Sequence, residues 1–310
     1  MNAKANRTVI PFIGSISTRS LSVGFLIIVA ASYTLLSVGS RLLAEGFQPM
    51  TQVYMRVTLG TLALVVLLWK NLRWHHMGRT PTRDLLILLS MGTLGYSVAV
   101  YFITMGVLNA KLVNVAVIFA TVPFFSYLYA YIFLRKPFNP NLTALLLVSL
   151  FGISVVASKS FIPALGSFGS GEWYSILATA TMAWFYVGRK MLSAHLNTSE
   201  ITIFVMCIAA VSGLGIAVLR GETFALSAFT NPHVLLGLAI GSLMNALVNP
   251  IEIFAFEHLD AVLGSQILLL ENVFSLIAGY LLYAETLTGT EIIGGCIIVG
   301  SVYIANRLTQ

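Results

Sequence analysis

Glu271 is an acid in a place where acids are costly. It stands inside the apolar run Ile267–Phe274, about ten residues into a segment long enough to span a membrane. An isolated acid at such depth costs roughly 2.5–3.5 kcal/mol to insert. A residue retained at that cost faces a partner or a wet cavity. Two chemistries suit it: a carboxylate that exchanges a proton as a solute moves, or a counter-charge for a solute amine. The plain alternative is a buried hydrogen bond to a neighbouring helix.

Asn245, Asn249 and Glu252 fall at i, i+4 and i+7, one face of a helix, and Pro250 removes a backbone donor beside them. A polar stripe next to a break reads as a cavity wall, against modest interhelical amide bonding. Arg56 is the one basic residue well inside an apolar segment, roughly eight residues from its outer end, suited to a solute carboxylate or to a structural ion pair. Tyr33, Ser37, Tyr96, Tyr101, Trp184 and Tyr186 also lie within helices, away from the interfacial belts where Tyr and Trp gather. They suit an amphipathic solute path, or ordinary packing. Asn114, Thr121 and Ser126 add polar atoms to the segment holding Pro123, and Asn272 stands beside Glu271.

Other chemistries lack their residues. His75 and His76 sit in a basic loop with only Asp84 near in sequence, which supports neither a metal site nor a nucleophilic triad. Cys207 and Cys296 are far apart within apolar segments and read as packing residues. Gly92 with Gly95, Gly237 with Gly241, and Gly294, Gly295 and Gly300 suit close helix contacts, since none sits at a strand-to-helix turn that would cradle phosphate. No cofactor is implied.

The elements that position these residues follow from composition. With 58% hydrophobic and 9% charged residues over 310 positions, there is too little polar surface to cover a soluble globule. The net charge of +6 comes from basic residues scattered singly between apolar runs, which speaks against nucleic acid as a partner. Spanning segments are expected at Leu21–Ala44, Gln48–Lys70, Asp84–Leu108, Lys111–Leu134, Asn141–Ser158, Trp173–Leu192, Glu200–Leu219, His233–Phe256, Ala261–Tyr283 and Thr290–Ala305. They lack the period-2 alternation of barrel strands, so helices are the spanning form. The apolar stretch Val9–Ile13 is broken by Pro11 and too short for a signal peptide, so the first helix reads as an uncleaved anchor.

Of 17 Lys and Arg residues, twelve fall on one side of this layout: Lys4, Arg7, Arg19, Lys70, Arg73, Arg79, Arg83, Arg135, Lys136, Arg189, Lys190 and Arg307. Only Arg41, Lys111, Lys159 and Arg220 fall on the other. That asymmetry places both termini in the cytoplasm and favours an even helix count.

The chain also resembles itself at an offset of about 148 to 149 residues, Arg41 falling on Arg189, Val113 on Val262, Pro123 on Asn272, Lys136 on Glu285 and Gly152 on Gly300. A duplicated five-helix unit must cross the membrane in opposite directions in its two copies. The expected organisation is therefore an all-α membrane protein with ten transmembrane helices in two inverted repeats around a central cavity. Residues 1–20 form a cytoplasmic N-terminal segment, 21–159 the first repeat, 160–172 a connecting loop, 173–306 the second repeat and 307–310 a cytoplasmic C-terminus. Inverted repeats are typical of secondary transporters.

The run Ile267-Leu268-Leu269-Leu270-Glu271-Asn272-Val273-Phe274, then Tyr283–Thr288 with Glu285, then Gly294-Gly295 to Gly300, resembles the apolar-run, Glu-Pro-Val-Phe, Gly-Glu and terminal glycine pattern of the EamA-type branch of the drug/metabolite transporter superfamily. The resemblance runs over essentially the whole chain. Asn272 departs from the usual Pro, and Lys136 stands where the first half often carries an acid. What the resemblance implies is a basket of two five-helix bundles that moves small organic solutes, often outward, with exporters of amino acids and related metabolites common among members.

The expected function is alternating-access export of amino acids or related compounds, with Glu271, Asn245, Asn249, Glu252, Asn272, Arg56, Tyr33, Tyr101, Asn114 and Trp184 as candidate binding or coupling residues. The partners are then a small solute, protons if transport is coupled, and the lipid of a bacterial cytoplasmic membrane, with the protein as monomer or homodimer. A multidrug or organic-cation exporter is the alternative within this class. An intramembrane enzyme would need clustered His, Asp or Ser at matching depths, and a channel would pass ions far faster than alternating access allows.

Overall fold

The structure, a computed structural model, describes residues 17–110, 112–137, 139–158, 169–223, 226–283 and 288–308. Lys4, Arg7, Lys111, Lys159, Glu285 and the side chains of Ser37, Arg41 and Val113 lie outside the described residues. Every regular element among the described residues is helical. Lipid offers no partners to backbone N–H and C=O groups, so an apolar chain closes those bonds within helices.

Caps and prolines mark where many of the helices begin. α1 (Thr18–Leu43) starts under Ser17, whose side chain accepts from Ser20 N. Pro49 opens α2 (Pro49–Leu68), which a 3₁₀ turn, Trp69–Asn71, extends. After the short α3 (Trp74–Met77), one rod is built of three pieces: α4 (Thr82–Ser90), a π-helical stretch Met91–Val98, and α5 (Ala99–Asn109). The next run is broken into α6 (Leu112–Phe119) and α7 (Val122–Leu134), and α8 (Pro140–Ser158) follows. Then come α9 (Ser170–Met191), α10 (Thr198–Leu219) under an Asn197–Glu200 capping box, and α11 (Pro232–His258) under Asn231. A second broken pair, α12 (Ala261–Leu268) and α13 (Glu271–Tyr283), precedes α14 (Gly289–Leu308).

Eight helical runs among the described residues are long and apolar enough to cross a membrane: α1, α2, the α4–α5 rod, α7 with the end of α6, α10, α11, α12 running into α13, and α14. α8 is apolar over a shorter stretch, Pro140–Val156, and α9 is 22 residues long with Glu172, Arg189 and Lys190 near its ends. Val66, Leu67, Val211 and Leu281 stand fully out on the rods. That surface would aggregate in water and is the natural outer wall in lipid. The chain is an integral membrane protein.

Polar contacts collect at the two ends of the bundle. At one end Arg73 pairs with Glu200 at 2.8 Å, Arg189 with Glu257 at 2.6 Å and Lys136 with Asp260. Ser193 bonds to Asp84 there, and Arg19 donates to Asn306 O at 3.1 Å. At the other end Glu45 meets His233 at 3.2 Å, Glu222 accepts from Thr51 N at 2.8 Å, and Glu172 accepts from Asn114 Nδ2 at 2.7 Å.

The helix pattern repeats at the offset seen in the sequence. α6, α7 and α8 recur as α12, α13 and α14. At each break the ladder tightens to i→i−3 bonds, from Thr121 N to Ile118 O at 2.9 Å and, at the equivalent point, from Leu270 N to Ile267 O at 3.0 Å. Packing repeats as well: α1 lies on α11 while its counterpart α9 lies on α5 and the π stretch, and α2 and α8 pack on their own counterparts α10 and α14. Two crossings depend on glycine. A Cβ on Gly237 would stand 2.8 Å from Gly39 O, and one on Gly294 would stand 2.8 Å from Gly152 O. Gly300, expected at such a contact, instead has open space around it.

Candidate functional site

The stripe on α11 faces inward. Asn245, Asn249 and Glu252 are each 3% exposed. The two amides bond back along the helix, Asn245 Nδ2 to Gly241 O at 2.7 Å and Asn249 Nδ2 to Asn245 O at 2.9 Å. This leaves acceptor oxygens for neighbouring helices. Asn245 Oδ1 accepts from Tyr96 Oη at 2.5 Å, and Glu252 Oε1 accepts from Tyr33 Oη at 2.6 Å. Tyr96 lies in the π stretch, where the wider turn displaces side chains from the ordinary helical register. Tyr96 and Asn245 hold equivalent places in the two halves, so their bond joins repeat to repeat.

Glu271 is the first residue of α13 and is half-buried. It lies within electrostatic reach of Glu252, Tyr33 and Tyr186. Tyr186, on α9, is buried, bonded to Tyr33 and stacked on Phe256 at 4.3 Å and 10°. Four helices, α1, α9, α11 and α13, thus bring two acids and two phenols together. Among the described residues neither acid forms an ion pair with a Lys, Arg or His. The N-terminal end of α13 offsets part of the cost of Glu271 through the helix dipole, on the order of 0.3–1 kcal/mol. Such a group can bind a cation or hold a proton between its carboxyls and phenols.

Arg56 lies at the crossing of α2 with α11 and is 7% exposed. Its Nη1 donates to Ser40 Oγ at 2.7 Å, and its Nε has no hydrogen-bond partner among the described residues. Tyr96 stands between the Arg56 and Glu252 regions, within electrostatic reach of both.

The other expected residues are placed elsewhere. Tyr101 sits beneath Arg220, which donates to its hydroxyl at 3.2 Å and lies 5.1 Å above its ring, in a small pocket with Glu222. Asn114 holds Glu172 where α6 meets α9; that bond first, and then one from Gly169 N, keep the Glu172 carboxyl below its usual range. Trp184 donates to Ser90 Oγ at 3.0 Å and packs edge-on against Tyr129 and Phe133 of α7. Asn272 is the second residue of α13, its Nδ2 donating across the break to Leu269 O at 3.1 Å. The structure therefore gathers Tyr33, Asn245, Asn249, Glu252 and Glu271, with Arg56 at one end of the same row. Tyr96 and Tyr186 belong to the cluster although the sequence marked them only as embedded aromatics. The repeat offset that maps Tyr96 onto Asn245 was the available signal for one of them. A cavity of about 460 Å³ between α13 and α14, lined by Val273, Leu276, Ile292, Cys296 and Val299 among others, is apolar and distinct from this cluster. No group of three or more His, Cys, Asp or Glu that could hold a metal occurs among the described residues.

Comparison with known proteins agrees with this layout. A sequence model described as "EamA-like transporter family" matches twice, over residues 20–158 and 169–307. A solved structure described as "Crystal structure of protein" superposes with a TM-score of 0.73 at 16% identity, covering 94% of this chain and 99% of that one, which is a likeness of fold. Comparison with curated proteins gives no match. With the family model accounting for both helical halves, the chain belongs to the EamA-like transporter family, a family of membrane transporters in the drug/metabolite transporter superfamily.

Proposed function

We propose that this transporter exports amino acids or related small metabolites by alternating access, through the cluster formed by Tyr33, Asn245, Asn249, Glu252 and Glu271. The observation that carries the reading is the buried contact of Tyr33 on α1 with Glu252 on α11, with Glu271 of the broken helix beside it. Discontinuous helices meeting polar groups at a repeat interface are how secondary transporters build their sites. Cation binding or proton exchange at Glu271 and Glu252 would provide coupling.

The proposed frame is ten spanning helices in two inverted five-helix repeats, residues 21–159 and 173–306, joined by 160–172, with both termini in the cytoplasm of a bacterial cell. Two sets of contacts support inversion. The start of α1 meets the finish of α14 through Arg19 and Asn306, whereas the start of α9, its counterpart, meets the start of α6 at the opposite end through Glu172 and Asn114. The end that holds Arg73, Lys136, Arg189 and Arg19 is also the basic end, which is the cytoplasmic side by the positive-inside rule.

A second reading, export of organic cations, is favoured by the two acids that have no cationic partner among the described residues. Flux from proteoliposomes loaded with amino acids, amines and drug-like cations, with and without a pH gradient, separates the two. Selective release of amino acids, with gradient dependence lost in Glu271→Gln, is the expected outcome. Release of cations alone replaces it with the second reading, and no release of any solute from well-folded protein removes both.

A further inference from the structure

We infer that Arg56, with Ser40 and Ser242, forms an anion site that takes the carboxylate of the transported solute. This deepens the reading above and rests on the α11 stripe being the solute path. A guanidinium brought into the bundle needs a negative partner, because burial removes its hydration. Arg56 is more than nine-tenths buried and forms no ion pair among the described residues. One hydroxyl, Ser40 Oγ, accepts from its Nη1, and its Nε has no hydrogen-bond partner among the described residues.

The same crossing contains a second orphan. Arg56 packs on Gly241, a Cβ there falling 3.2 Å from Arg56 Cδ, and the next residue, Ser242, has a buried hydroxyl with no partner among the described residues. One turn further along α2, Gly60 comes within 2.9 Å of Ser242 O in the same sense. Two unsatisfied donors, one of them cationic, thus share one helix crossing at the head of the row that continues to Asn245, Asn249 and Glu252. A carboxylate satisfies both at once, since its two oxygens accept in the fork geometry that a guanidinium presents.

Length decides what else such a solute touches. From Gly241, against Arg56, to Glu252 is eleven residues of α11, about 16 Å of helix axis. An α-amino acid places its ammonium only about 2.5 Å from its carboxylate carbon, a matter of bond lengths like those of the backbone. Anchored at Arg56, it lays the ammonium against Asn245 and Tyr96, and the acids remain free for protons or for a second cationic group farther along the solute.

Paired probes that differ only by the carboxylate test this: phenylalanine against phenethylamine, and lysine against cadaverine, in proteoliposome flux. Wild type is expected to move each acid at least tenfold faster than its amine. Arg56→Gln should cut acid flux tenfold or more while leaving amine flux within twofold, and Arg56→Lys should recover part of it. An unchanged acid-to-amine ratio in Arg56→Gln overturns the anion site, as does a wild-type preference for the amine, which leaves transport itself standing. If wild type moves none of the probes, the transport reading fails separately, and N-acetyl amino acids in thermal unfolding decide the site alone. Stabilisation of wild type that Arg56→Gln abolishes sustains it; equal or absent stabilisation ends it.

Discussion

Tyr33 shows what one hydroxyl does at a buried acid. Its bond to Glu252 Oε1, at 2.6 Å, is the hydrogen bond that the structure shows on that carboxyl. Removing one partner of a buried pair costs about 1–3 kcal/mol, because the group left behind loses its compensation. Tyr33→Phe should therefore lower the midpoint of thermal unfolding and reduce flux together, and an unchanged melting profile would remove Tyr33 from the supporting network. Glu172 tests a different setting, outside the spanning core. Its carboxyl is held below the usual range by Asn114 and then by Gly169 N. A depressed folded pKa contributes stability that is present above the unfolded value of about 4.3 and is lost as pH falls through the folded value. Between neutral pH and about pH 3, Glu172→Gln should flatten the acid side of the stability profile measured by thermal unfolding. A parallel downward shift of the whole profile would mean that the carboxyl's charge plays no part.

The broken helices illustrate how a local element arises without its usual residue. In α7 the second position is Pro123, whose missing N–H is harmless in a first turn. In α13 the same position is Asn272, yet the break is there, with Asn272 supplying a side-chain bond to Leu269 O instead. Asn272→Pro should consequently fold, losing the side-chain and the backbone bond that Asn272 gives Leu269 O, about 1–3 kcal/mol for the carbonyl left behind. Wild-type yield and monodispersity on size-exclusion chromatography would confirm it. Aggregation of this variant would show that the residue needs its N–H and that α13 does not truly begin at Glu271. The π stretch around Tyr96 is an element of another kind. It interrupts an apolar run whose composition is indistinguishable from its neighbours, so hydropathy predicts one uniform helix there.

For the molecule as a whole, inverted topology is a claim about which loops share a side. In a background with Cys207 and Cys296 replaced by Ser, single cysteines at His75 and Ala194 should react with a membrane-impermeant maleimide only after permeabilisation. Cysteines at Glu45 and Ser227 should react in intact cells. Reaction of Ala194→Cys from outside would contradict the inverted arrangement, since it would give the second repeat the direction of the first.

Hydropathy and repetition made much of this architecture legible, because lipid imposes helices on any chain of such composition and duplication leaves its offset in the residues. The stripe Asn245, Asn249 and Glu252 was readable for the same reason: residues on one face of one helix are related by a fixed local period. Partnership across helices has no such period. That Tyr33 would meet Glu252, that Tyr96 would reach Asn245 from a π turn, and that Asn114 would serve Glu172 while Trp184 joined an aromatic cluster on α7 depended on helix crossings. Those crossings are set by close backbone approaches such as Gly39 to Gly237, between residues almost two hundred positions apart. Local spacing therefore determined which residues lay on a common face, and only three-dimensional packing chose which faces would meet.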